Sequence, residues 1–318
     1  MKRHKICKII FAILAVFLCV AFYELIGICI TYKKQPAVSD ATIKETQNIM
    51  SVAGKENTER AVIIEKNSQA LLERVRLIQN AKDEIILSTF AFKSDESGKL
   101  ILGALHDAAD RGVHVRILVD GMESWIDMEG NPYFYGLSSH ENVEIKLYNK
   151  ANPLKPWKTM GRMHDKYLIA DGKIYILGGR NTYNYFLGDF PGHKNFDRDV
   201  LVVCDEPQKD NSVNQLWNYF ETIWEQEDCR YFHNSKKLAD RQSVKNAVLE
   251  LQEGYQQYFE VNKEKICDTD YADETFETEK ITLLSNPIHT QAKEPVVWYQ
   301  PVSYTHLRAH ATPEHLVC

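Results

Sequence analysis

The chain has 318 residues, of which 44% are hydrophobic and 26% charged, and its formal net charge is −6. This composition is typical of a globular protein and excludes a wholly disordered chain. The acidic balance gives no electrostatic sign of nucleic-acid binding. The seven cysteines are scattered and form no CxxC pair, so the sequence predicts neither a disulfide framework nor a zinc site.

An apolar segment lies close to the N-terminus. Residues 9–23 are uninterrupted apolar residues, and after Glu24 the apolar character continues to Ile30. About 20 such residues span a bilayer as a helix. Four basic residues precede the segment and two follow it, which by the positive-inside rule places the body outside the cytoplasm. We therefore predict a membrane anchor over residues 1–32, with a cleaved signal peptide as the alternative.

The next region changes from polar to patterned. Residues 33–60 are polar and mixed in charge, which indicates a linker. Beyond them, short apolar runs alternate with amphipathic stretches over residues 61–230. This alternation predicts an α/β domain in which helices flank a mixed β-sheet, with the active groups beyond strand ends. The expected strands cover residues 62–64, 84–92 and 113–119. A helix capped by Asn67 or Ser68 should follow the first strand, and a second should end at Gly112.

The stretch 163–181, MHDKYLIADGKIYILGGRN, organises this domain. Its apolar residues alternate on both sides of Asp171-Gly172, which is a strong β-hairpin signal. Residues two apart on a strand share a face, so His164 and Lys166 should point toward a common target.

An imidazole beside an ammonium group suits a phosphate. Gly178 and Gly179 would let backbone N–H groups approach anionic oxygens, and Asn181 adds an amide. The stretch contains no cluster of ligands at metal spacing, so neither a metal nor a cofactor is predicted. The alternative is a half-buried hairpin whose polar residues face water.

The full spacing His-x-Lys-x4-Asp-x6-Gly-Gly-x-Asn resembles the signature of the phospholipase D superfamily, and residues 61–226 are similar to one catalytic half of a bacterial cardiolipin synthase or related phospholipase. The resemblance implies that His164 attacks phosphorus and forms a phosphohistidine. It further implies that Lys166, Asn181 and backbone N–H groups near Gly179 hold the phosphate oxygens.

Two carboxylates complete the implied site. The resemblance matches Asp199 with an acid that orients the nucleophilic imidazole, and Asp197 is its rival for that role. Either could instead be a surface carboxylate paired with Arg198. Asp171 matches the Asp of the signature, and we expect it to hold the hairpin and tune local charge rather than to transfer a proton.

Proteins of this family carry two copies of the signature, whereas this sequence shows one. A second half-site should therefore come from downstream sequence or from a homodimer partner. The implied substrate is a phospholipid: water as acceptor gives a phospholipase D, and phosphatidylglycerol as acceptor gives a cardiolipin synthase. A nuclease with the same signature and a catalytically incomplete membrane protein remain alternatives.

The remaining segments have distinct compositions. Lys146 to Lys166 includes six Lys or Arg residues, which indicates a loop at the mouth of the site that draws in anionic head groups, or else an ordinary solvated loop. Residues 231–301 read as a helical bridge and the start of a second half. Residues 302–318 do not continue the preceding pattern and are interpreted as a non-native tail.

Overall fold

The structure is a computed structural model that describes residues 2–33, 59–150, 152–158, 161–206, 211–278 and the single residues 281, 283 and 285. The predicted linker, apart from its two ends, and the predicted tail at 302–318 lie outside these residues. So does most of the region predicted to begin a second half.

The N-terminal segment forms one helix, α1 (Lys2–Lys33). Its apolar part, Lys5–Ile30, is long and apolar enough to cross a membrane, and it is not buried inside the protein. Among the described residues it is the single helix with these properties. The membrane helix predicted from the sequence therefore has its counterpart in α1, although a signal sequence has the same length and composition.

The body is built on one nine-stranded mixed sheet. The parallel strands β2, β3 and β4 lie on one side, and antiparallel pairing joins the other strands. The order across the sheet is β8-β4-β3-β2-β5-β6-β7-β1-β9. The strands are β1 (Glu59–Ile64), β2 (Glu84–Thr89), β3 (His114–Asp120), β4 (Val143–Tyr148), β5 (Tyr167–Ala170), β6 (Ile174–Gly178), β7 (Asp199–Cys204), β8 (Cys229–Tyr231) and β9 (Phe276–Glu277).

Helices cover both faces of the sheet, as the alternating pattern predicts. One face carries the larger apolar core, to which α2, α3, α5 and α8 contribute, and the other face packs against α6. The helices of the body are α2 (Asn67–Asn80), α3 (Glu96–Asp110), α4 (Gly121–Asp127), α5 (Pro132–Ser138), α6 (Ser212–Trp224), α7 (Lys236–Ala239) and α8 (Gln242–Cys267).

The predicted helix ends are partly confirmed. Gly112 follows α3 with φ +93°, a left-handed conformation that glycine adopts at little cost, as expected of a residue that ends a helix. The cap predicted for α2 is wrong: Lys66 is its N-cap and makes no side-chain cap bond. Asn67 is already helical, and its side chain is engaged by Arg180 and by the Asn195 carbonyl.

The region after β8 completes the same domain. Val244, Leu251 and Tyr255 on α8 are buried in the larger core, and β9 pairs with β1 at the edge of the sheet. The prediction of a bridge over residues 231–301 therefore needs correction in its described part. Because the apolar face of α8 covers helices α2, α3 and α5, this segment belongs to the core of the domain.

The strand directions bring several chain ends to one edge of the sheet. β2 and β3 end there, β5 and β7 begin there, and β6 ends there, because β5 is antiparallel to β2 and β6 is antiparallel to both β5 and β7. The residues predicted to carry the chemistry flank these ends.

Candidate active site

The central hairpin forms as predicted. β5 and β6 are antiparallel, with Tyr167 opposite Leu177 and Ala170 opposite Ile174. Asp171 and Gly172 connect them with φ values of 52° and 62°. Two consecutive left-handed residues are the requirement of the tight turn that the Asp-Gly pair predicts, because its twist matches that of the strands.

His164 and Lys166 lie together immediately before β5. The Lys166 ammonium donates to the backbone carbonyl of His164 at 2.5 Å, and the Lys166 side chain is buried. Phe90, just after β2, contacts both: its ring centroid is 4.6 Å from that of His164 and 5.5 Å from Lys166 Nζ. The predicted pairing of imidazole and ammonium is thus present, on an aromatic surface.

The imidazole of His164 is held in its neutral form. Partial desolvation, then the positive charges of Lys166 and Arg162, lower its pKa from 6.5 to about 4. The residue as a whole remains open to solvent. Near neutral pH the ring therefore has a free lone pair, which is the state required of a nucleophile or general base.

Asp120 fixes the segment that leads into His164. Its carboxylate accepts bonds from the Arg162 guanidinium at 2.8 Å and from the Met163 N–H at 3.2 Å. It also caps α4 by accepting from the N–H groups of Met122 and Glu123. The available sequence signal for this role was a carboxylate directly after the predicted strand 113–119, and no role for Asp120 was predicted from it.

Asp165 holds the same segment from the other side of the sheet. Its carboxylate accepts a bond from the Tyr219 hydroxyl on α6 at 2.8 Å. Burial raises the pKa of Asp165. Because alternate residues of an extended chain face opposite sides, this bond holds the backbone between His164 and Lys166 from the face opposite to their side chains.

Asp171 lies at the opposite end of β5 from His164. Its carboxylate accepts bonds from the backbone N–H groups of Lys82, Asp83 and Glu84, at 2.9–3.2 Å. Six residues lie between Asp171 and His164, so the two are roughly 20 Å apart along an extended chain. Asp171 therefore holds the hairpin to the start of β2, at the end of the hairpin remote from His164.

The two glycines have a different role from the predicted one. Gly178 donates its N–H to the Lys166 carbonyl at 3.1 Å, and Gly179 donates to the Arg198 carbonyl at 3.4 Å, so these donors serve the sheet and not a phosphate. A Cβ on either residue would lie 2.0 Å from a carboxylate oxygen, of Asp199 or Asp197 respectively. The glycines are required because two carboxylates approach the backbone closely.

Asn181 is buried at the same edge. Its Oδ1 accepts the N–H of Ala91 at 3.2 Å, which fixes the amide so that Nδ2 is the free donor. Among the described residues Nδ2 has no hydrogen-bond partner. This orientation suits the predicted role of Asn181 as a donor to a phosphate oxygen.

Asp199 does not hydrogen-bond to His164 in the structure. Its buried Oδ2 pairs with Arg74 at 2.9 Å and Arg180 at 3.3 Å, and its Oδ1 has no hydrogen-bond partner in the part of the chain that the structure describes. The register places Lys166, Gly178 and Asp199 in one row across β5, β6 and β7, so Lys166 and Asp199 are about two strand spacings, roughly 10 Å, apart. The prediction that Asp199 orients the imidazole is therefore not realised in this arrangement.

The rival carboxylate is also engaged elsewhere. Asp197 accepts the N–H of Arg198 at 2.7 Å, and the exposed Arg198 side chain pairs with Glu65 at 3.0 Å. The surface alternative supposed that Asp197 or Asp199 pairs with the Arg198 side chain. Neither carboxylate does so in the structure.

Two buried arginines hold Asp199, and neither was predicted from the sequence. Arg180 is 1% exposed and also donates to the carbonyls of Ile64 and Glu65. Arg74 lies on α2, 125 residues from its partner. Arg180 stands inside the signature, between Gly179 and Asn181, and that position was the only signal available.

The described residues contain no group of three or more His, Cys, Asp or Glu side chains placed to hold a metal ion. The positive charge near His164 is supplied by the side chains of Lys166 and Arg162. An ammonium and a guanidinium can both compensate the charge of a phosphate oxygen.

Residues 75–224 match the family model described as "Cardiolipin synthase, PLD-like domain". An uncharacterised protein of Helicobacter pylori (strain ATCC 700392 / 26695) is 33% identical over 181 residues, which are 52% of this chain and 35% of that protein. Cardiolipin synthase C of Escherichia coli (strain K12) is 29% identical over 154 residues, which are 44% of this chain and 31% of that protein.

Among solved structures, "NucT from Helicobacter pylori" is similar with a TM-score of 0.43 and 17% identity, covering 55% of this chain and 99% of that one. The present chain spans about a third of the length of the two curated relatives.

Proposed function

Residues 75–224 belong to the phospholipase D superfamily, and from this premise we propose that the chain is a membrane-anchored phosphodiesterase or phosphatidyltransferase acting on phospholipids. The observation that carries the proposal is the state of His164. Its imidazole is accessible to solvent and has a pKa lowered to about 4. The ammonium of Lys166 donates to the backbone carbonyl of His164.

In the proposed reaction, a ring nitrogen of His164 attacks the phosphorus of a phosphodiester. An N–P bond forms, the bond from phosphorus to the leaving alcohol breaks, and a phosphohistidine results. Lys166 and the Nδ2 group of Asn181 stabilise the charge on the non-bridging oxygens. Water or another alcohol then attacks the phosphohistidine, releases phosphatidic acid or a transferred phosphatidyl group, and regenerates the neutral imidazole.

The leaving alkoxide needs a proton, and a second imidazole would provide it. In the described part of the body, the five other histidines bond to carboxylates or amides elsewhere: His106 and His140 to Asp110, His114 to Glu144, His193 to Asn195 and His233 to Glu129. We therefore propose that the second imidazole comes from a second half-site, either on further sequence or on a partner copy.

A lipid substrate is supported by α1, whose apolar span would tether the site to a bilayer, and by the similarity to cardiolipin synthases. Of the six basic residues from Lys146 to Lys166, Lys150 and Lys155 are exposed to solvent and would attract anionic head groups. By the positive-inside rule the body would lie on the extracytoplasmic side. A nucleic-acid substrate is disfavoured because the chain has a net charge of −6, which repels the phosphate backbone.

The experiment compares substrates in matched assays of the full chain. Membranes containing the chain are supplied with phosphatidylglycerol vesicles or with single-stranded DNA, and lipid products and cleaved DNA are measured. We expect lipid turnover that is absent from the His164→Asn variant. Cleavage of DNA without lipid turnover would replace the proposal with a nuclease, and turnover of neither would leave the catalytically incomplete alternative.

A further inference from the structure

The segment that leads from β4 toward the site lies against helix α1. We call residues 152–158 the docking loop; it ends in a short 3₁₀ turn, Pro156–Lys158. The Tyr23 hydroxyl on α1 donates to the Leu154 carbonyl at 2.9 Å. Gly27 faces Pro156 so closely that a Cβ there would lie 2.4 Å from the proline ring. Glycine at position 27 therefore permits direct contact between the apolar helix and this loop.

These contacts fix the depth of the docking loop in a bilayer. The apolar span of α1, Lys5–Ile30, contains 26 residues and is about 39 Å long at 1.5 Å per residue. It exceeds the hydrocarbon core of about 30 Å, so its ends reach the interfacial regions. Gly27 and Tyr23 lie about 5 and 10 Å from Ile30 along the axis. The docking loop therefore lies where the hydrocarbon core meets the head groups.

The surface of the loop suits that depth. Leu154 is 79% exposed and Trp157 is 37% exposed, and tryptophan is enriched at membrane–water interfaces. Lys155 and the nearby Lys150 are exposed to solvent, and basic residues near an anionic bilayer are attracted to its surface. Lys158 instead pairs with Asp228 at 2.8 Å, which attaches the loop to the body.

The backbone of the loop is also prepared for a medium of low polarity. The N–H groups of Leu154 and Lys155 donate to the side chain and carbonyl of Asn152, and the Lys158 N–H donates to the Lys155 carbonyl, each at 2.9 Å. The two prolines have no N–H. Backbone groups without a hydrogen-bond partner are strongly disfavoured in lipid, so a loop with these donors already paired can enter the interface.

Hydrogen bonds from one side chain join the loop to the segment that carries His164. The Asn149 side chain donates to the carbonyls of Lys158 and Gly161, both at 2.7 Å. Asn149 itself has φ +49°, a left-handed conformation that asparagine tolerates better than most residues. Gly161 directly precedes Arg162, whose bond to Asp120 fixes the entrance to the site. A surface that holds the loop would therefore also set the height of His164.

We propose that the docking loop binds the surface of an anionic bilayer beside the membrane helix and so holds the mouth of the site at head-group level. The inference rests on the proposed function, because α1 must lie in the membrane. A lipid surface is the occupant that the contacts favour, since the loop touches the same helix that would enter the bilayer.

Tryptophan fluorescence tests the proposal without any assay of activity. The full chain is reconstituted in phosphatidylglycerol–phosphatidylcholine vesicles whose acyl chains carry bromine, a contact quencher. We expect a smaller quenched fraction in Trp157→Phe than in the wild type, because a lipid-facing emitter has been removed. The matched control, Trp224→Phe, removes a core emitter that is 6% exposed, so its quenched fraction should rise.

Leu154→Asp provides a second variant, because a charge on the apolar tip of the loop opposes entry into the interface. We expect the bromine quenching due to Trp157 to be lost while α1 still resists extraction by alkaline carbonate. With an active preparation, the apparent KM for lipid in vesicles should rise while turnover of a short-chain soluble phosphodiester stays unchanged.

The outcomes separate the docking loop from the proposed function. A chain that stays in the membrane with equal quenching in wild type and Trp157→Phe would overturn the docking loop alone. Acrylamide, a water-soluble quencher, then shows what surrounds Trp157: quenching by acrylamide means that Trp157 faces water, and no quenching means that a second protein copy covers it. Either result contradicts the docking loop. Release of the wild type by carbonate would overturn the anchor and, with it, the docking loop. Loss of lipid turnover alone would count against the proposed function only.

Discussion

The two ends of the β5–β6 hairpin share one sequence signature but differ in chemistry. At the turn, Asp171 has its carboxylate occupied by three backbone N–H groups at the start of β2. At the open end, His164 is solvent-accessible with a displaced pKa. There also, Asn181 Nδ2 lacks a hydrogen bond among the described residues, and the buried Asp199 Oδ1 has none.

This difference teaches that a signature can combine residues for folding with residues for reaction. Saturated polar groups stabilise a turn, because each buried or half-buried donor has its acceptor. Polar groups that lack partners in the resting protein are costly, and a substrate can supply the missing contacts. Variants at the turn should therefore change the free energy of unfolding, whereas variants at the open end should change turnover.

The largest expected effect is that of His164→Asn. Loss of a covalent nucleophile typically reduces turnover by several orders of magnitude, and the variant should trap no phosphohistidine from a labelled phospholipid. Because the side chain is exposed, the unfolding midpoint should stay close to that of the wild type. Turnover within tenfold of the wild type would show that another group is the nucleophile.

Arg180→Met should have the next largest effect, and on stability. Removing one partner of a buried ion pair costs up to roughly 3–5 kcal/mol. Asp199 keeps its pair with Arg74, but the carbonyls of Ile64 and Glu65 lose their donor, so we expect a loss of about 2–4 kcal/mol. Denaturant unfolding measures the loss. The matched control is Arg198→Met, where an exposed pair with Glu65 is broken and the cost should stay below about 1 kcal/mol. Equal effects for the two variants would contradict the assigned role of Arg180.

Asp171→Ala should destabilise the protein less, by about 1–3 kcal/mol, since it removes the acceptor of three N–H groups and places alanine at φ 52°. Asp171→Asn keeps one acceptor oxygen and tolerates this conformation better than alanine. Its free energy of unfolding should therefore lie between those of Asp171→Ala and the wild type. In the fraction that remains folded, turnover should change by no more than a few fold. A loss as large as that of His164→Asn would place Asp171 in the chemistry.

The smallest expected effect concerns pH. With a pKa near 4, His164 remains mostly neutral at pH 5.5, where an unshifted imidazole of pKa 6.5 would be about 90% protonated. We expect the acid limb of kcat/KM to fall near pH 4, giving roughly tenfold more activity at pH 5.5 than an unshifted His would allow. An acid limb at pH 6.5 would show that burial and the charges of Lys166 and Arg162 do not lower the pKa of His164.

The lowered pKa of His164 also makes the free energy of unfolding depend on pH. The folded protein disfavours protonated His164, so the unfolded chain binds this proton at higher pH than the folded one. The contribution of His164 is fully present above pH 6.5 and is lost as the pH falls toward 4. His164→Asn should therefore reduce the acid sensitivity of the unfolding midpoint over this window.

The sequence alone determined the features that depend on neighbouring residues. The Asp-Gly turn and the alternation around it fixed the hairpin, because only a left-handed pair joins such strands tightly. The spacing of His164 and Lys166 placed both groups together, and the length of the apolar segment defined α1. The pattern of strands and helices gave the mixed sheet, although it did not reveal that α8 covers the core of the same domain.

Only the tertiary structure decided which distant groups meet. Arg74 and Asp199 are separated by 125 residues, and their pairing depends on how α2 packs over β7, which no local pattern encodes. The glycines of the signature follow the same logic: their small size serves the approach of Asp197 and Asp199 and not that of a phosphate. The lowered pKa of His164 likewise arises from partial burial and from the charges of Lys166 and Arg162 at one edge of the sheet, because desolvation and charge act through space and not along the chain.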